Sequence, residues 1–242
     1  MLLHRARRRL LWLGSVFCCI GILCWGDTAA GMRAFQNKDY ATAYREWTEA
    51  ANKGQADAQY NLGILYSKGL GVAKNPEEAF RWFRLAADQG QADAQFQVGL
   101  MREKGVGVRR DYAEAEAWYT LAAERGDSEA EVSLGELYDE GRGVKKDLAR
   151  AVYWYQLAAD QGVSEAQYHL GACYAAGKGV SKDPLKAYFW LTLAAKQHDK
   201  NAEKQRADLA PKLSAEDIAK TETSVAQWKP KPPRAQTSAK AR

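Results

Sequence analysis

One stretch of the chain is written four times at a fixed spacing. It reads "ADAQYNLGILYSKGLGV" from Ala56, "ADAQFQVGLMREKGVGV" from Ala92, "SEAEVSLGELYDEGRGV" from Ser128 and "SEAQYHLGACYAAGKGV" from Ser164. The period is 36 residues each time. Self-similarity at a period of 20–50 residues is the mark of a solenoid, in which each copy is one supersecondary unit that buries its apolar face only by stacking on its neighbours. No single central core is then expected, and the chain grows by adding units.

The units follow one plan. In residues 55–90, Ala58, Leu62, Leu65 and Tyr66 fall on one face at helical spacing and predict a first helix, A. Paired glycines in "KGLGVAKNP" predict a turn, and Pro76 suits the first turn of a second helix, B. Asn75 stands at the N-cap of B, where Asp111, Asp147 and Asp183 stand in later copies. Ala79, Trp82, Phe83 and Ala86 give B its apolar face, and Gly90 suits the left-handed position that ends it. Gly63, Gly99, Gly135 and Gly171 lie in the middle of A, where glycine costs about 1 kcal/mol against alanine. Close approach of B explains them. The expected partners are the Ala pairs 86–87, 122–123, 158–159 and 194–195, with Trp82, Trp118, Trp154 and Trp190 filling the space between units.

This pattern, A-x-A-x-x-x-L-G-x-x-Y-x-x-G-x-G-V followed by D-x-x-x-A-x-x-W-x-x-x-A-A-x-x-G, resembles the Sel-1-like repeat, a relative of the tetratricopeptide repeat. The resemblance covers Gln55 to His198 as four units, 55–90, 91–126, 127–162 and 163–198. Arg102 departs from the usual Tyr, Asn75 from Asp, and Gln197-His198 from the closing Gly. It implies an all-α, right-handed solenoid of helix-turn-helix repeats. Upstream, residues 27–54 read as a shortened first unit with Asp39 as an N-cap. Downstream, 199–228 lose the pattern and read as capping helices, with Ser214 as an N-cap and Ile218, Val225 and Trp228 on one apolar side. After Trp228, "KPKPPRAQTSAKAR" has three Pro, five basic residues and no acid, and is expected to be a disordered basic tail over 229–242.

The start of the chain differs from all of this. Arg5, Arg7, Arg8 and Arg9 precede an uncharged run from Leu10 to Trp25. A basic start before a short apolar run predicts a signal peptide over residues 1–26, cut after Gly26 or as late as Ala30. The alternative is an uncleaved inner-membrane anchor, although the run is shorter than the ~20 residues of a typical span. Export places the protein in the periplasm or outside the cell. Beyond Gly26 the chain carries 31 basic and 30 acidic residues, about +1, so its basicity is mostly targeting signal and gives no footprint for nucleic acid. Cys173 is then the one cysteine left, and its place within a helix suits a small buried hydrophobe.

No reaction chemistry is legible. His169 and His198 stand 29 residues apart with no Cys or second His at ligand spacing, so no metal site is expected. "GVGV" and "GRGV" lack the Lys-Ser/Thr of a phosphate loop, and no cofactor motif or G-x-S-x-G occurs. Asp57, Asp93, Glu129 and Glu165 recur at one register and read as solvated positions. The chain is therefore expected to be no enzyme. By resemblance to tetratricopeptide arrays, the A helices line a concave face. Its columns are Tyr60, Phe96, Val132 and Tyr168; Asn61, Gln97, Ser133 and His169; and Ile64, Leu100, Glu136 and Ala172. Tyr60 and Tyr168 with the polar column Asn61, Gln97, Ser133 and His169 are the candidate binding residues. The resemblance implies a scaffold or adaptor of the bacterial cell envelope that binds a protein or extended peptide, with membrane contact only if the N-terminal segment stays. A competing class is a cell-wall hydrolase or a β-lactam- or peptidoglycan-binding protein, as described for disulfide-rich relatives. Those carry a Cys pair per repeat, which this chain lacks.

Overall fold

The computed structural model describes residues 28–234, so the expected signal segment and residues 235–242 lie outside the described residues. Five antiparallel helix pairs run in chain order: α1 (Thr28–Gln36) with α2 (Tyr40–Asn52), α3 (Ala56–Lys68) with α4 (Pro76–Asp88), α5 (Ala92–Lys104) with α6 (Tyr112–Ala123), α7 (Ser128–Glu140) with α8 (Leu148–Asp160), and α9 (Ser164–Ala176) with α10 (Pro184–Lys196). Then come α11 (Lys200–Leu209), a 3-10 turn over Ala210–Lys212, and α12 (Ala215–Gln227). Each helix up to α10 packs mainly on the helices before and after it, which makes the stack one-dimensional. No helix among the described residues is long and apolar enough to cross a membrane.

Local chemistry sets the ends of the helices. Asp39, Asn75, Asp111, Asp147 and Asp183 each accept, through Oδ1, the backbone N–H three residues on, at 2.9–3.1 Å. Such caps contribute about 1 kcal/mol each. The second glycine of each A–B loop seats the loop on the preceding B helix: a Cβ at Gly71, where φ is +71°, would lie 2.8 Å from the backbone carbon of Tyr40. The loop thus locks unit to unit. In the last unit His198 takes the left-handed position of the missing glycine, at φ +66°. Histidine is one of the few side chains that visit this region.

The mid-helix glycines do face helix B, but the partner is not the Ala pair. A Cβ at Gly63 would lie 2.5 Å from Phe83, at Gly99 2.7 Å from Tyr119, at Gly135 2.5 Å from Tyr155 Cδ1 and at Gly171 2.8 Å from Leu191. The large residue that follows each Trp fills the glycine notch, and Phe83, Tyr119, Tyr155 and Leu191 are all at most 1% exposed. Filling a notch with an aromatic ring buries far more apolar area than a small–small contact. Trp82 and Trp118 pack with residues of the preceding unit, between repeats as the pattern predicts. The lock extends to the shortened unit, where Gly31 faces Trp47 and Trp47 Nε1 donates to the Thr28 carbonyl at 3.2 Å.

The open C-terminal end is covered by α11 and α12. Ser214 caps α12 by accepting from the Asp217 N–H at 3.0 Å. Val225 is buried, and Trp228 meets Trp190 edge to face at 6.3 Å. The expectation of a disordered tail from residue 229 is corrected for residues 229–234, which fold back on the stack. The Lys231 N–H donates to the Asp160 carbonyl at 2.8 Å, and Pro230 lies against Gly162. Composition suggests a solvated segment because it counts charges and prolines but not the acceptors that wait for them.

Candidate functional site

The A helices α3, α5, α7 and α9 bring the three columns side by side. The first column is partly core. Phe96 and Val132 are buried, and Phe96 packs on Tyr119 with ring centroids 5.7 Å apart. Tyr60 is half-buried and tilts onto Phe83 at 5.5 Å. Tyr168 is half-buried too, and its Oη accepts from Gln205 Nε2 of α11 at 3.1 Å, so the cap holds it.

The polar column is less free than an open groove would make it. Asn61, Gln97, Ser133 and His169 are all half-buried. Ser133 Oγ donates to the Glu129 carbonyl of its own helix at 3.0 Å. His169 lies flat on Tyr155, centroids 4.8 Å apart and planes 9° apart, and burial pushes its pKa down. A neutral ring stacked in this way is packing first. In the third column Ile64 and Leu100 pack against the core, Ala172 lines a shallow cleft, and Glu136 sits 3.6 Å from Arg142.

A cleft of about 480 Å³ opens where the B-to-A turns meet the A helices. Tyr60, Phe96 and Gln97 form one side, and Asp93, Asp127 and Glu129 form an acidic rim. Asp127 caps α7 by accepting the Ala130 N–H at 2.8 Å, yet burial raises its pKa, with Asp93 and Glu129 adding repulsion. Burial, followed by the same three carboxylates, raises the pKa of the Tyr60 phenol. The field in the cleft is negative. Asp93 and Glu129 belong to the acidic register that reads as solvated in the sequence. Their recurrence is visible there; their convergence on one aromatic cleft is not.

Two further groupings are not legible from local spacing. Glu136, Glu165 and His169 bring their ligand atoms within 4.8 Å of one another across two units. Cys and His spacing does not reveal such a group, because two of its three members are carboxylates. Arg142 already compensates Glu136, and Glu165 is exposed. The second grouping surrounds Glu131, whose side chain is fully buried. Burial raises its pKa to about 7, against the opposing pull of Arg234 at 3.2 Å and of Gln161 Nε2 at 2.8 Å. Cys173 is buried and its thiol is pushed up to about 11 by burial, as an inert core cysteine would be.

The family model of the Sel1 repeat matches residues 56–91, 92–127, 128–163 and 164–199, more than half of the chain. The chain belongs to the Sel1 repeat family. Its solved relatives include a Sel1 repeat protein from Oxalobacter formigenes, 34% identical, with a TM-score of 0.71 over 84% of this chain and 88% of that one. Another is a protective antigen present in uropathogenic Escherichia coli strains, with an SLR fold, 32% identical, TM-score 0.75 over 82% of this chain. The chain spans only 44% of that antigen's length. Among curated proteins none matches. These relatives share the right-handed α-solenoid seen here. Sel1 repeat proteins typically mediate protein–protein interactions, and the family is generally non-catalytic. In this Sel1 array the A-helix face joins aromatic surface, side-chain amides and carboxylates, a mixture that suits polypeptide recognition.

Proposed function

We propose that the protein is a non-enzymatic adaptor of the bacterial cell envelope, exported by its N-terminal segment, and that its A-helix face holds an extended, basic segment of a partner protein. The observation that carries this reading is the acidic cleft. Tyr60 and Phe96 offer apolar contact, Gln97 offers a donor and an acceptor, and Asp93, Asp127 and Glu129 set a negative rim. Complementary charge steers encounter and fixes register more than it adds affinity. The sequence start, basic and then apolar, supports export.

The test is capture from envelope extract with the parent protein and an Asp93→Lys/Glu129→Lys variant. Asp93 and Glu129 are exposed and cap no helix in the structure, so the fold is expected to persist. A stoichiometric protein held by the parent and lost by the variant, with unchanged circular dichroism, supports the reading. Equal capture by both, or none by the parent, refutes it.

A further inference from the structure

Each A helix carries, at its fourth position, a buried side chain under the preceding turn: Gln59, Gln95, Glu131 and Gln167. In three units the amide works in both directions. Its Nε2 donates to a carbonyl eight residues back, Ala51 at 3.2 Å, Ala87 at 3.1 Å and Ala159 at 3.3 Å. Its Oε1 accepts from a residue thirty further on, Gln89 at 2.7 Å, Arg125 at 3.4 Å and Gln197 at 3.0 Å. Glu131 keeps the second bond, to Gln161, but an ionised carboxylate has no N–H for the first. The carbonyl left without this side-chain donor is that of Ala123, which accepts the Gly126 N–H at 2.9 Å as its counterparts accept theirs.

Arg234 replaces the missing donor. Its guanidinium nitrogen donates to the Ala123 carbonyl at 3.1 Å and to Glu131 Oε1 at 3.2 Å. One group thus restores the amide's bond and neutralises a carboxylate that is 0% exposed. The segment leading to it is pinned twice at Asp160, by the Lys231 N–H at 2.8 Å and by Lys231 Nζ at 2.9 Å. Pro230 and Pro233 lie over Gly162 and Gly126, glycines whose bare surfaces leave room for a passing chain. Proline fixes φ and holds the preceding residue extended, so little entropy is lost on docking. Pro233 also lines the acidic cleft.

We infer that Glu131 and the Ala123 carbonyl form an arginine-binding slot, and that residues 229–234 fill it as a tethered ligand. The slot's ligand class is an arginine preceded by an extended, proline-bearing basic segment. Filled in cis, it places the chain's own tail at the edge of the cleft, where an incoming basic segment must compete with it. That last consequence rests on the adaptor reading; the slot does not.

Trypsin tests the slot in the full chain, because it must seat the Arg234 side chain to cut before Ala235. The variant Glu131→Gln restores the amide of the other units, so its fold is expected to remain while Arg234 loses its charge partner. Cleavage after Arg234 is expected to speed up on the order of tenfold to a hundredfold, the range for a hydrogen bond to a charged group. Equal cleavage rates in parent and variant, with both folded, overturn the slot. A second measurement uses a labelled peptide of residues 228–236. It is expected to bind the Arg234→Ala variant, to bind the parent at least tenfold more weakly, and to lose its affinity when Glu131→Gln is added to Arg234→Ala. Binding that is alike in all three, or absent from the Arg234→Ala variant, overturns the proposal. Neither measurement needs a foreign partner, so failure here is separable from failure of the adaptor reading.

Discussion

Gly135→Ala sets two effects of similar size against each other. Alanine is the better helix former by about 1 kcal/mol, which alone would stabilise α7. The new Cβ, however, would stand 2.5 Å from Tyr155 Cδ1, closer than carbon atoms pack. The ring has little room to retreat. Tyr155 is 1% exposed, and its ring lies flat against His169 with centroids 4.8 Å apart. Relief therefore requires α8 or α9 to shift, and overpacking of this kind costs about 1–3 kcal/mol. Because the clash lies below 3.0 Å and the ring is both buried and stacked, the upper half of that range applies. The net expectation is destabilisation by roughly 1–2 kcal/mol, which lowers Tm by about 2–8 °C for a protein of this size. Thermal unfolding followed by circular dichroism measures it. Gly171→Ala is the internal comparison: its Cβ would meet Leu191 Cγ at 2.8 Å, and a flexible leucine yields more readily than a stacked ring, so the loss is smaller. Tyr155→Leu introduced with Gly135→Ala is expected to recover part of the loss, a coupling between contacting residues. A Gly135→Ala variant that melts at or above the parent would refute the ring-in-notch account.

Glu131 provides a pH signature. Its folded pKa of about 7 lies above the usual carboxylate value, so the folded state takes up a proton across that window, and the group's contribution to stability falls as pH rises from about 4.5 to 7. Glu131→Gln removes this dependence, so denaturant midpoints measured at pH 5 and pH 8 are expected to show the variant gaining on the parent at the higher pH; a constant difference refutes it. Cys173, pushed up to about 11 and 7% exposed, is expected to resist thiol reagents at pH 8 until the protein unfolds, as mass-spectrometric mapping of the label would show. N-terminal sequencing of exported protein is expected to begin at Asp27. A cut after Ala30 would remove Thr28, whose carbonyl accepts from the buried Trp47 and whose Oγ1 donates to Gln55 Oε1 at 2.6 Å; an intact Met1 would instead favour the anchor.

The solenoid is legible in the sequence because its determinants are local and repeated. A helix face, a cap, a two-glycine loop and a closing glycine each act within a few residues, and four copies at one spacing leave little ambiguity. The notch at Gly135 is only half legible. Periodicity shows that a small residue recurs, but whether Ala158 or Tyr155 faces it depends on how α8 is rotated about its axis, which only packing decides. The candidate binding face shows the same division. The columns follow from the repeat register, whereas the stacking of His169 on Tyr155 and the convergence of Asp93, Asp127 and Glu129 on Tyr60 arise across units. Glu131 marks the limit most sharply. Its departure from Gln59, Gln95 and Gln167 stands in the sequence for anyone who aligns the units. What the departure means depends on Arg234, 103 residues further along the chain. Local pattern fixes where a buried carboxylate sits; only the folded chain, by bringing distant residues together, decides which cation answers it.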